Sequence, residues 1–179
     1  MSSNSDISTS KSRTVGIELI RPNAVMPFYA REGDSGMDVC AAEDVLLEVG
    51  ETSLVPTGLK FVIPEGMEIQ VRPRSGLSLK TPLRLPNSPG TIDAGYKDEL
   101  HIIVHNSSPM EEAAGALYTL DEKNNRKGSY QIRKGDRIAQ LVFATVTKIE
   151  FVTTEEAIAS LDIVDNRGGG FGSTGTNVN

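Results

Sequence analysis

The sequence predicts an all-β domain, a sandwich or closed barrel, and three observations predict it. Between Val15 and Phe151 the apolar residues fall in short runs of strand length. Gly and Pro recur between those runs, at Gly50, Pro56, Gly58, Pro64, Gly66, Pro86, Pro89 and Gly135, where turns require them. The same stretch lacks the long segments of helical period that alternate with strands in a parallel sheet.

The elements follow in order. Residues 1–13, MSSNSDISTSKSR, are Ser-rich and almost free of apolar groups, so a disordered N-terminal tail is expected. A secretory signal needs an apolar run behind its basic end, and an organellar transit peptide is Arg-rich and free of acids. This tail has neither pattern and carries Asp6, so the cytoplasm is the expected location. Strands are expected at Val15–Ile20, Val45–Val49, Thr52–Val55, Leu59–Ile63, Met67–Arg72, Leu100–His105, Arg137–Phe143 and Thr145–Phe151. Residues 107–130 are polar and read as a surface insert with some local structure. One helix is expected at Thr153–Leu161, where Thr153 and Glu156 have capping-box spacing and Ala157, Ile158 and Leu161 share a face. The domain therefore spans 14–165, and residues 166–179 form a Gly-rich C-terminal arm.

Composition removes several function classes. With 179 residues and 38% hydrophobic side chains the chain supports one core. Its 18 Lys and Arg against 24 Asp and Glu leave a net charge of −6, which argues against stable nucleic-acid binding. No apolar run approaches the roughly 20 residues of a membrane span. A lone cysteine, Cys40, and 2 histidines exclude a disulfide framework and a multi-cysteine zinc site.

Five polar, Gly-bearing segments remain. In Pro73-Arg74-Ser75-Gly76-Leu77, Ser75 can cap a short helical turn whose N–H groups and Arg74 address an anion; a plain strand exit is the alternative. In Gly90-Thr91-Ile92-Asp93-Ala94-Gly95-Tyr96, a carboxylate on a hairpin can orient and deprotonate water, although Asp is also an ordinary turn residue. Tyr96 offers a flat face to a sugar. Asp38, in DSGMDV, can hold water around a hydrated metal ion or merely fix its loop. Gln140, in GDRIAQLV, can bond a phosphate or simply occupy a strand face. The tail segment RGGGFGSTG sets Arg167, Phe171 and Ser173 among glycines whose bare backbone can wrap a phosphate, or it is only a flexible end. Gly170–Gly175 also fits GxGxxG, but no helix can follow it before the chain ends.

Taken together and in this order, DSGMDV, PRSGL, GTIDAGY, GDRIAQLV and RGGGFGSTG resemble the five motifs of the trimeric deoxyuridine triphosphate nucleotidohydrolase (dUTPase) family. The resemblance covers Asp34 to Gly175. It implies a jelly-roll-like β-barrel of the β-clip type with one short helix, assembled as a homotrimer whose active sites draw motifs from more than one subunit. The implied activity is Mg²⁺-dependent hydrolysis of dUTP to dUMP and diphosphate, which limits uracil in DNA and supplies dUMP for thymidylate synthesis. By the same resemblance Asp93 activates the water that attacks the α-phosphorus. Arg74, Ser75, Gly76 and Gln140 hold phosphates, and Asn87, Thr91 and Ile92 hold the nucleoside. Tyr96 lies against deoxyribose. Arg167, Gly172 and Ser173 hold the γ-phosphate, and Phe171 stacks on uracil. Mg²⁺ is carried by phosphates and water without a direct protein ligand, Asp38 being an outer-shell contact. His101 is a weaker candidate near the nucleoside.

The sequence departs from the family at Asp98, where relatives commonly have Gly, in the long 107–130 insert, and at Pro89, which stiffens the approach to the hairpin. Two other readings stand beside this one. A dCTP deaminase or bifunctional deaminase–diphosphatase would carry Glu in the hairpin and lack the closing tail. A non-catalytic nucleotide-binding or signalling module would not need Asp93.

Overall fold

The structure is a computed structural model that describes residues 13–112, 115–122 and 124–155. The chain divides into two compact units after Thr147. The first is built of β1 (Gly16–Leu19), β2 (Met37–Cys40), β3 (Val45–Leu47), β4 (Thr52–Pro56), β5 (Leu59–Val62), β6 (Met67–Arg72), α1 (Ser75–Lys80), β7 (Leu83–Arg84), β8 (Gly90–Asp93), β9 (His101–Asn106), β10 (Leu117–Thr119), β11 (Ser129–Ile132) and β12 (Arg137–Thr145). The second is described only over Lys148–Glu155, with exposed Ile149, Phe151 and Val152.

Among the described residues the first unit holds four small sheets, in the strand orders β1-β5, β10-β11-β3, β2-β12-β6-β8 and β4-β9-β7. Every pairing is antiparallel except β10 with β11. Strict alternation sets which side chains enter the core. In β6 the residues Met67, Ile69 and Val71 are buried, while Glu68, Gln70 and Arg72 point the other way. Strand β9 repeats this with Ile102, Val104 and Asn106 inward. Leu47, Ile69, Ile102, Tyr130, Ile132 and Leu141 are fully buried where the sheets meet.

Polar atoms inside the core are paired. Asn106 donates Nδ2 to the carbonyls of Leu47 (3.2 Å) and Gly128 (2.9 Å), and its Oδ1 accepts from the N–H of Ser108 (3.1 Å). Ser108 and Gly128 also bond each other, so both ends of the 107–130 segment are tied to the same buried amide. Gly128 is required there: a Cβ would sit 2.5 Å from the Ala116 carbonyl and 2.8 Å from the Tyr118 ring. Tyr118 and Tyr130 pack with centroids 5.8 Å apart, and the Arg126 guanidinium lies over the Tyr118 ring.

Most expected strands are found, with shifted ends, and Met67–Arg72 matches residue for residue. Two expectations are corrected. No strand runs from Val146 to Phe151; β12 absorbs Thr145, and Val146 ends the ladder by donating its N–H to the Gly66 carbonyl (3.0 Å). Ser75 does not cap α1 but opens it, with extended Arg74 in the capping position and no side-chain cap bond. The insert contributes β10, part of β11 and a 3-10 turn at Met110–Glu112. The expected helix at Thr153–Leu161 lies largely outside the described residues.

Candidate active site

Two clefts collect the chemistry-bearing residues of the first unit. The first, about 290 Å³, forms where β6 ends and α1 begins. Pro73 cannot extend the ladder, so the chain turns out at Arg74 and starts α1 at Ser75. The register places Asp38 of β2, Gln140 of β12 and Arg72 of β6 in one row across three strands. Arg74 grips Asp38 with two prongs, Nε to Oδ1 at 2.7 Å and Nη2 to Oδ2 at 3.3 Å. Arg137 adds Nη1 to Oδ2 at 3.0 Å. The Asp38 side chain is 10% exposed, and both of its oxygens are hydrogen-bonded to arginine. Gln140 donates Nε2 to the Pro73 carbonyl (2.9 Å), tying the PRSGL segment to β12. Gly36 has no Cβ because the Gln140 carboxamide occupies that space. Ser75 and Gly76 complete the lining, facing solvent.

The second cleft, about 300 Å³, is lined by β8 and its turn on one side and by β4 and β9 on the other. β8 is an edge strand, so one row of its backbone N–H and C=O groups has no strand partner among the described residues. Gly90 admits the Asn87 side chain: a Cβ there would lie 3.0 Å from Asn87 Nδ2 and 3.4 Å from Val71 Cβ. Asp93 ends the strand. Its carbonyl accepts the Tyr96 N–H (3.0 Å), which closes the turn. Its carboxylate is exposed and has no hydrogen bond or ion pair among the described residues. Tyr96 donates its phenol to the Glu99 carbonyl (2.7 Å), and burial, then Asp98 and Glu99, push its ionisation upward, so it stays a donor. His101 Nδ1 lies 3.1 Å from the same carbonyl, and the ring lines the cleft. Leu54, Leu100 and Ile103 supply an apolar wall.

The clefts share no lining residue, and β6 explains why. Val71 walls one and Arg72 the other, and neighbouring strand residues point to opposite faces. The fold thus brings together Asn87, Thr91, Ile92, Asp93, Tyr96 and His101, and separately Asp38, Arg74, Ser75, Gly76 and Gln140, but not the two groups with each other.

Comparison with known proteins decides the family. The dUTPase family model matches residues 22–111 and 123–175. The chain belongs to the dUTPase family. A Clostridium tetani protein named deoxyuridine 5'-triphosphate nucleotidohydrolase is 38% identical over 162 residues, covering 90% of this chain and 97% of its own length. A protein of the same name from Leifsonia xyli is 42% identical, with 92% and 93% covered. Among solved structures, a mutant dUTPase of Staphylococcus bacteriophage 80alpha with dUpNHpp superposes with a TM-score of 0.79 at 35% identity, covering 92% of this chain and all of that one. A mutant dUTPase from phage phi11 of S. aureus, described as coordinating a structural Mg(II) ion, gives a TM-score of 0.71 at 33% identity, with 80% and 97% covered.

For a dUTPase, the metal question falls on Asp38. Among the described residues no group of three or more His, Cys, Asp or Glu is placed to hold a metal ion. Asp38 Oδ1 accepts one bond and keeps a lone pair for a water molecule, while Oδ2 is taken by both arginines. That fits a hydrated Mg²⁺ delivered with phosphates. Arg167, Phe171, Gly172 and Ser173 lie outside the described residues.

The sequence reading missed three features of the site. Arg137 stands inside the GDRIAQLV segment, and its partnership with Asp38 comes from strand pairing across 99 positions. Leu54 and Ile103 had only apolar periodicity to mark them. Glu99 was passed over although it follows Tyr96 by three. Its carboxylate accepts Arg21 Nε and Nη2, both at 2.7 Å, and the Gly58 N–H at 2.8 Å, and the Arg21 guanidinium holds it below the usual carboxylate range.

Proposed function

We infer that this chain hydrolyses dUTP to dUMP and diphosphate in the presence of Mg²⁺. The observation that carries the reading is Asp93: a solvent-facing carboxylate without a protein partner, at the mouth of a cleft bordered by an open strand edge, in a chain of the dUTPase family.

In this reading the β8 edge reads the uracil through backbone groups of Thr91 and Ile92, with Asn87 on the nucleoside. Tyr96 lies flat on deoxyribose and leaves no room for a 2′-hydroxyl. The Arg74 guanidinium, the Ser75 hydroxyl, the Gly76 N–H and the second Nε2 hydrogen of Gln140 donate to phosphate oxygens. Asp93 takes a proton from a water molecule as that water's oxygen bonds to the α-phosphorus. The bond from the α-phosphorus to its bridging oxygen breaks, its electron pair leaves with diphosphate, and Asp93 returns its proton to solvent. Mg²⁺, when bound to the triphosphate, neutralises charge on its oxygens, and Asp38 would contact it through water. Arg167, Phe171, Gly172 and Ser173 are proposed to close over the γ-phosphate and uracil.

Because the two clefts open on opposite faces of β6, one chain does not complete a site. We assign the working form as a homotrimer in which one protomer supplies the Asp93 cleft and its partner the Arg74 cleft. The reaction is placed in the cytoplasm, with the nucleotide pool it acts on.

The test is Asp93→Asn, scored by diphosphate release and by dUTP binding. General base catalysis contributes roughly 10²–10⁴-fold, so turnover falls by that factor while binding stays within a few-fold. Turnover within tenfold of the parent refutes the role of Asp93. Ammonia released from dCTP by the parent chain would point to deamination instead.

A further inference from the structure

Glu99 faces two ways. Its backbone carbonyl accepts from the Tyr96 phenol (2.7 Å), and His101 Nδ1 lies 3.1 Å from it, so two of the side chains that line the nucleoside cleft converge on one oxygen. Its carboxylate, 10% exposed, forms a fork-on-fork pair with Arg21, accepts the Gly58 N–H, and lies 3.8 Å from His101 Nε2. Arg21 also pairs with Glu43 and lies in the turn that follows β1, where Ile20 donates its N–H to the Gly58 carbonyl at 2.8 Å. Gly58 has φ +70°, and a Cβ there would sit 2.7 Å from Ala24 Cβ and 3.0 Å from Arg21 Cβ. Only glycine allows that turn to close on the 57–59 backbone. Tyr96 is 38% exposed and follows a short turn, and its hydroxyl is held by the carbonyl of a residue whose carboxylate Arg21 clamps.

We propose that Arg21 and Glu99 are positioning residues that hold the Tyr96 ring in place and so set the discrimination between deoxyribose and ribose. This rests on the dUTP hydrolysis proposed above. The argument is one of reach. Rejecting a 2′-hydroxyl requires a wall that does not yield to a single oxygen atom. A solvent-facing tyrosine on a turn yields unless its far end is fixed. A bidentate guanidinium–carboxylate pair fixes orientation as well as distance, which a lysine would not do. Asp93 lies three residues before Tyr96 on β8, held by pairing with β6, so loosening the clamp leaves the base where it is.

The experiment measures kcat and KM for dUTP and UTP in the parent, Arg21→Met, Arg21→Lys, Glu99→Gln and Tyr96→Phe, and again for Arg21→Met in a Tyr96→Ala background. A displacement of about an ångström at a positioned group costs up to about 10²-fold. The dUTP-over-UTP preference in kcat/KM is therefore expected to fall roughly tenfold to a hundredfold in Arg21→Met and Glu99→Gln, through a lowered KM for UTP, with kcat for dUTP within about threefold of the parent. Arg21→Lys should recover only part of the preference. In the Tyr96→Ala background Arg21→Met should change the preference no further, which a merely structural role would not predict. Should the clamp variants fail to fold, Tyr96→Phe removes one oxygen from an exposed ring and must show the same loss of preference. An unchanged preference in the clamp variants or in Tyr96→Phe overturns the inference alone, as does an equal effect with and without Tyr96. A parent chain that releases no diphosphate from dUTP overturns the functional reading and this inference together.

Discussion

Two clefts on opposite faces of β6 predict complementation between two inactive chains. Asp93→Asn disables the cleft lined by β8. Arg74→Gln disables the other, removing a charged phosphate donor while leaving a side chain able to bond Asp38, which also keeps Arg137. Alone, Asp93→Asn should lose roughly 10²–10⁴-fold of turnover. Loss of a charge-assisted bond of about 1.5–3 kcal/mol should cost Arg74→Gln roughly ten- to a hundredfold. If each site takes its clefts from two different protomers, mixed assemblies contain some intact sites. In a random equal mixture a site receives an intact Asp93 cleft half the time and an intact Arg74 cleft half the time. About a quarter of the sites are then whole. The two chains are co-refolded in equal amounts, their assembly is sized by light scattering, and diphosphate release is followed with dUTP and Mg²⁺. Activity near a quarter of the parent's supports shared sites. Activity equal to the average of the two inactive parents, in an assembly shown to be mixed, refutes the reasoning and places both clefts' work within one chain.

Other outcomes follow from the same geometry. Arg21 holds the Glu99 carboxyl below its ordinary value of 4.5, so that pairing contributes stability above the ordinary range and loses it as pH falls through the lowered value. Arg21, His101 and, through Arg21, Glu43 are the ionisable neighbours, and Arg21→Met should melt lower than the parent at pH 7 and lose less melting temperature between pH 5 and pH 3, because the paired contribution is already gone; parallel curves would contradict this. Gly128→Ala should lower stability by about 1–3 kcal/mol, because its Cβ meets the Ala116 carbonyl and the Tyr118 ring, and should leave kcat for dUTP unchanged. Chelation of divalent metal should abolish most dUTP turnover without changing the far-ultraviolet spectrum, and added Mg²⁺ should restore it.

What was legible in the sequence follows from how far each signal reaches along the chain. Met67–Arg72 alternates cleanly between PEG and PRSG, and it became β6 at those residues because burial on one face and turn chemistry at both ends agree. The stretch Thr145–Phe151 has comparable composition yet holds no strand past Thr145, since a strand exists only where a neighbour offers its backbone. Asp93 and Tyr96 were readable together because one short hairpin segment carries both, whereas Asn87 came only with the family resemblance. Glu99 was not readable, because its meaning lies in Arg21, 78 positions away, and in a glycine whose missing Cβ admits the turn. Arg137 was hidden in the same way behind the pairing of β12 with β2. For the site as a whole, the family resemblance carried the expectation of motifs drawn from more than one subunit, and no local pattern in the sequence gave a reason for it. Alternation along β6 supplies one, since it sends Val71 and Arg72 to opposite faces, and the clefts follow them. Period-two geometry therefore separates the proposed base from the proposed phosphate donors, and a second copy of the chain is the simplest object that reunites them.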